Sequence, residues 1–290
     1  MILKRMVRAA DGRRLSTQLY GDPDGKPVFL LHGTPGSRLG PHPRSAVLHR
    51  LGIRLISFDR PGYGESDRME GRRVADVAAD VEAIADAYGL RRFAIVGRSG
   101  GGPHALACAA LLPERTTKAA VLVGLAPRGA DGLDWFDGMA RSNVLEFTAA
   151  SNGYEGIAAH TKRVADAIRA DPASLIARLQ AELPAPDRRV MADHGIRSKL
   201  IETYAEAMRT SDYGWIDDAL AFCSPWGFEV ADIKVPVLVW HGESDVFSPL
   251  THARWLADQI PGALMSVRPD CAHFGAFEVI PEVLSWLIRE

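Results

Sequence analysis

Gly97-Arg98-Ser99-Gly100-Gly101 sets a lone serine among glycines at G-x-S-x-G spacing. A serine hydroxyl attacks a carbonyl only if a base removes its proton, and the oxyanion that results needs donors aimed at it. This spacing suits both needs. Glycines on either side let the backbone double back where a side chain would strike the neighbouring strand or helix. The turn also leaves Ser99 at a helix N-terminus, where unpaired backbone N–H groups face incoming negative charge. Ser99 is therefore the candidate nucleophile.

Of the nine histidines, His273 is best placed to act as the base, since it lies in a loop after the last strand and late in the chain. His32 and His241 each follow a strand and precede a glycine, which suits an imidazole that shapes a loop. His104 sits just past the serine, inside the helix, and is expected to pack against a neighbouring loop. The base needs a carboxylate to fix its tautomer. Asp245 fits that role, with Glu243 two residues earlier as its rival. One oxyanion donor is expected from the backbone N–H of Gly100. The other should come from the loop at Thr34, whose hydroxyl either assists or caps the turn; Pro35 has no N–H to give.

These residues need a scaffold that brings them to one edge. Apolar runs over 27–31, 53–58, 93–96, 119–123, 235–240 and 263–267 read as strands, most of them buried on both faces. Helical patterns over 74–88, 103–112, 251–259 and about 281–289 alternate with them. That rhythm predicts an α/β fold with a mostly parallel, doubly wound sheet, whose ligands sit at the C-terminal strand ends. From Ile2 to Tyr20, two short strands around Asp11-Gly12 predict an antiparallel hairpin.

The rhythm fails between 126 and 228, where helical segments over 164–169, 174–182 and 199–209 are separated by prolines. Residues 1–125 and 229–290 are thus read as the core domain and 126–228 as a helical cap over the sheet edge. Trp135, Phe136, Met139, Phe147, Trp215 and Trp226 fall in the cap and are expected mainly to pack it onto the body, a few of them lining a pocket.

A net charge of -2 and 24% charged residues give no basic footprint for nucleic acid and no polybasic membrane patch, so the expected partner is a small-molecule substrate. A homo-oligomer is compatible with this composition. Cys108, Cys223 and Cys271 form neither a disulfide framework nor a zinc spacing, and suit a reducing cytoplasm. No apolar run approaches the ~20 residues of a membrane span, and the first residues lack the apolar segment of a secretion signal.

HGTPGS at 32–37, DRPGYGES at 59–66, GRSGGG at 97–102, HGESD at 241–245 and CAHF at 271–274 resemble the α/β-hydrolase superfamily. The resemblance implies a Ser99-Asp245-His273 triad, an oxyanion hole from Thr34 and Gly100, a mobile cap, and no metal or organic cofactor. The activity it implies is hydrolysis of an ester or similar acyl bond, here in a small, largely apolar substrate. Prolyl aminopeptidase, lactonase and carbon–carbon hydrolase are lesser alternatives, and a small-molecule receptor built on the same fold is the alternative outside catalysis. HGTPGS is similar to the HGGPG of prolyl aminopeptidases, but the cap sequence shows no acidic cluster beside a tryptophan to hold a substrate amine.

Overall fold

The computed structural model describes residues 3–289. Eight strands form one sheet: β1 Leu3–Arg8, β2 Arg14–Gly21, β3 Lys26–Leu31, β4 Ile53–Phe58, β5 Phe93–Arg98, β6 Thr116–Leu122, β7 Val237–Gly242 and β8 Leu264–Arg268. Their spatial order is β1-β2-β4-β3-β5-β6-β7-β8. The β1–β2 hairpin pairs antiparallel and joins β4 antiparallel, and every pairing beyond β4 is parallel. The expected hairpin, mostly parallel sheet and alternating helices are therefore present; Met1, Ile2 and Glu290, which the sequence reading included, lie outside the described residues.

Alternation along the central strands divides the core in two. Phe29 and Leu31 face one side with Ile95, Val121 and Val239. Val28 and Leu30 face the other with Val96, Ala120 and Leu122. Helices cover both faces of the central strands, which therefore read as apolar runs, whereas the edge strands β1 and β8 are largely exposed. These helices are α1 Ser45–Arg50, α2 Val77–Ala87, α3 Gly101–Leu111, α10 Leu250–Gln259 and α11 Ala276–Ile288.

The last helix begins five residues before the expected start at Pro281, which lies within it. Proline favours a first turn, but Phe277, Ile280, Val283, Leu284 and Leu287 form one buried stripe at helical spacing. Packing of that stripe outweighs the lost backbone hydrogen bond. The expected strand at 235–240 runs instead over Val237–Gly242, so His241 lies within the strand and does not follow it.

Between β6 and β7 lie six helices and no strand: α4 Arg141–Ser151, α5 Tyr154–Ala170, α6 Ser174–Leu179, α7 Ala185–Met191, α8 His194–Ala207 and α9 Tyr213–Cys223. The sequence signalled parts of α5, α6 and α8. It did not reveal α4, α7 or α9, whose apolar positions make sense only against one another and against the sheet edge.

Strand order reverses at β3. The chain moves from β3 outward to β4, then crosses back past β3 to β5, which leaves a crevice above the paired ends Leu31 and Gly97. The Thr34 and Ser99 loops leave the sheet at those two ends.

Candidate active site

Ser99 follows β5 with φ at 53°, a left-handed backbone that an L-residue adopts at a cost. The surrounding glycines are required by space. A Cβ on Gly97 would fall on the Gly101 carbonyl, and one on Gly101 would fall on the Leu31 carbonyl. The elbow read from the sequence is thus present, with α3 starting two residues after the serine.

His273 Nδ1 lies 2.9 Å from Asp245 Oδ2, which makes this the hydrogen bond expected of a base and its orienting carboxylate. Asp245 is buried, whereas Glu243 is exposed. The other Asp245 oxygen accepts from the N–H groups of Phe247 at 2.8 Å and Ser248 at 3.1 Å. Burial alone would raise this carboxyl, but the adjacent His273 and these donors hold it below its ordinary value. Ser248 is a further member that sequence reasoning missed. Its hydroxyl donates to the Val123 carbonyl at 2.7 Å and lies 3.1 Å from Asp245 Oδ2.

Ser99, His273 and Thr34 line one cavity, together with Arg98, Tyr204 and Trp215. No hydrogen bond joins Ser99 to His273. The structure therefore brings Asp245 and His273 into direct contact and brings Ser99 to the same cavity without closing the last link. Among the described residues, the backbone N–H groups of Thr34 and Gly100 have no hydrogen-bond acceptor. The Thr34 hydroxyl, whose role the sequence left open, is committed elsewhere: it donates to Asp218 at 2.6 Å and accepts from Arg60 at 3.0 Å.

The other histidines have structural work. His32 Nδ1 is 2.8 Å from the Gly33 carbonyl and its Nε2 accepts from the Arg60 N–H. His241 Nε2 is 2.7 Å from the Ser248 carbonyl. His104 reaches the Val74 carbonyl and Asp218, both at 3.3 Å. Of the six cap residues singled out, Trp215 lines the cavity; Trp135, Phe136 and Phe147 pack on one another edge to face.

Two cap carboxylates reach down to the loops of the site, and neither carries a sequence signal, because each partner is distant along the chain. Asp187 on α7 accepts from the N–H of His273 at 3.2 Å and of Phe274 at 2.7 Å. Burial raises it to about 6 despite these donors and the imidazole. Asp218 on α9 takes Arg60, Arg72 at 2.6 Å, Tyr63 at 2.8 Å and the Thr34 hydroxyl. Burial opposes its ionisation, but the two guanidinium groups keep it well below the usual carboxylate range.

A third acid lines the cavity itself: Glu146 on α4 accepts from Trp215 Nε1 at 2.9 Å, a single acid beside a tryptophan and not a cluster. Burial raises Glu146 to about 7. The pair lies 69 residues apart, beyond any local pattern.

Residues 26–278 match the family model described as alpha/beta hydrolase fold, and the chain belongs to that family. It is 29% identical to a proline iminopeptidase of Xylella fastidiosa over 92% of this chain and 89% of that one. It is also 29% identical to a 2-hydroxy-6-oxo-2,4-heptadienoate hydrolase of Pseudomonas putida, over 94% and 91%. Among solved structures, an esterase from Rhodococcus sp. ECU1013 superposes with a TM-score of 0.68 at 22% identity, covering 98% of both chains.

Proposed function

We propose that this chain is a serine hydrolase that cleaves an ester or similar acyl bond of a small substrate through an acyl-enzyme. Ser99 Oγ attacks the carbonyl carbon while His273 Nε2 takes its proton. The backbone N–H groups of Thr34 and Gly100 receive the oxyanion, and the imidazolium returns the proton to the leaving group. Water, activated by the same imidazole, then releases the acid and restores Ser99. Asp245 orients His273 and stabilises its charged form. Helices α4–α9 act as a cap over the cavity, and free Cys108, Cys223 and Cys271 fit work in the cytoplasm.

The Asp245–His273 hydrogen bond, opening on the cavity that holds Ser99, carries this reading. A direct Ser99–His273 bond is not required beforehand, since such contacts often tighten only when substrate is bound. The test is labelling by a fluorophosphonate together with turnover of short p-nitrophenyl esters. Both should occur in the wild type and vanish in Ser99→Ala. Labelling without turnover on any acyl substrate would instead point to a small-molecule receptor.

Glu146 beside Trp215 supports a second reading, cleavage next to a free N-terminal amine, the activity named in the iminopeptidase relatives. Prolyl p-nitroanilide turned over faster than any simple ester would favour it. The relatives named as carbon–carbon hydrolases make that chemistry a further variant of the same acyl transfer.

A further inference from the structure

The three arginines that are buried, Arg38, Arg60 and Arg72, all have acidic partners. Arg38 pairs with Asp59 and Glu206, Arg60 with Asp218, and Arg72 with Asp218. This is what a low-dielectric interior requires, because an unpaired buried charge is costly. Arg98, the residue before the nucleophile, is only partly buried, on the cavity wall, and has none. Among the described residues its side chain makes no ion pair and no hydrogen bond.

Its side chain is nevertheless well placed. The guanidinium stacks over the Phe277 ring at 4.3 Å, and it passes the space a side chain on Gly33 would need. It lines the cavity that holds Ser99 and His273. Burial pulls its pKa down to about 10, so it remains a cation at any physiological pH.

The acids nearby do not neutralise it. Asp245 is turned to His273, and Asp187 to two backbone N–H groups. Glu146 accepts from Trp215 and makes no ion pair with Arg98. Farther along the cavity wall stand Arg178, also without an ion pair, and His160.

We propose that Arg98 anchors a carboxylate on the substrate, so that the preferred substrates are short acyl compounds carrying a carboxylate and not neutral apolar esters. A planar guanidinium presents parallel N–H donors that match the two oxygens of a carboxylate, and the bond is strongest where water is excluded. Arg98 Nη2 and Ser99 Cβ lie 2.8 and 3.3 Å from the position a Cβ on Gly33 would take, so they are close enough that only a few bonds would separate the carboxylate from the scissile carbonyl. This departs from the largely apolar substrate expected from the sequence. The attack step rests on the serine-hydrolase reading, while the binding step does not.

The experiment has two arms. Binding of glutarate and of dimethyl glutarate to Ser99→Ala is measured by calorimetry, with Arg98→Met and Arg98→Lys introduced into that background. Glutarate should bind about 10- to 100-fold more tightly than the diester, the range of a charge-assisted hydrogen-bonded pair. Arg98→Met should erase that preference and Arg98→Lys should keep part of it. In the second arm, kcat/KM for monomethyl glutarate over dimethyl glutarate should fall by a similar factor in Arg98→Met.

Equal binding of the two ligands to Ser99→Ala, or a preference unmoved by Arg98→Met, overturns the proposal. If Arg98→Met does not fold, the comparison within Ser99→Ala and the Arg98→Lys variant decide. Absence of hydrolysis with the binding preference intact would sink the serine-hydrolase reading and leave the carboxylate site standing.

Discussion

Asp245 holds His273 Nδ1 with one oxygen and two backbone N–H groups with the other, so its charge is fixed from both sides. In Asp245→Asn the amide would favour the wrong imidazole tautomer while leaving the packing intact. The expected loss in kcat is on the order of 10⁴, with an unchanged circular dichroism spectrum. Glu243→Gln should leave kcat near that of the wild type, because that carboxylate is exposed and only its backbone N–H is engaged, at 3.0 Å from the Arg268 carbonyl. A large loss in Glu243→Gln combined with a small one in Asp245→Asn would reverse the assignment. Cys271, two residues before the base, makes no side-chain hydrogen bond, and Cys271→Ser should retain activity.

At the scale of elements, the helices between β6 and β7 do more than cover the cavity. Helix α7 holds the His273 loop through Asp187, and α9 holds the Thr34 loop through Asp218, so both halves of the proposed catalytic machinery are tied to the cap. The two ties have opposite pH signatures. Asp187 rises from an ordinary 3.8 to about 6 on folding. Between those values the folded chain keeps a proton that the unfolded chain has lost, so this group contributes less stability as pH rises through the window. The melting temperature of Asp187→Asn, taken relative to wild type, should therefore increase from pH 4 to pH 6, and a flat or falling difference would contradict the burial of this carboxylate.

Asp218 behaves in the reverse sense, and its effect spreads over the whole molecule. Its folded value lies below the ordinary 3.8, so its contribution to stability is present above about pH 4 and is lost as pH falls through the folded value. It joins α9 to Arg60, Arg72 and Tyr63 in the segment that follows β4. Asp218→Ala would leave two buried guanidinium groups without a counter-charge, at an expected cost of about 3–5 kcal/mol. Urea denaturation would show this as a lower midpoint at similar slope, and a shift under ~1 kcal/mol would mean that water or a rearranged partner reaches the arginines.

The sheet and the elbow were legible in the sequence because their signals are local. Continuous apolar runs mark strands buried on both faces, and Gly97 and Gly101 flank Ser99 where the chain admits no side chain. That His273 and Asp245 would meet was legible too, since each sits in a loop just after a strand, where a parallel sheet collects its loops. Arg98 without a partner, Asp187 beneath the base loop, and Glu146 against Trp215 were not legible. Each depends on a contact, or on the lack of one, between residues tens of positions apart, and side-chain periodicity carries no information about that distance. Local sterics and burial thus determined where the chemistry would lie, and only the packing of α4–α9 on the sheet edge decided what charges surround it.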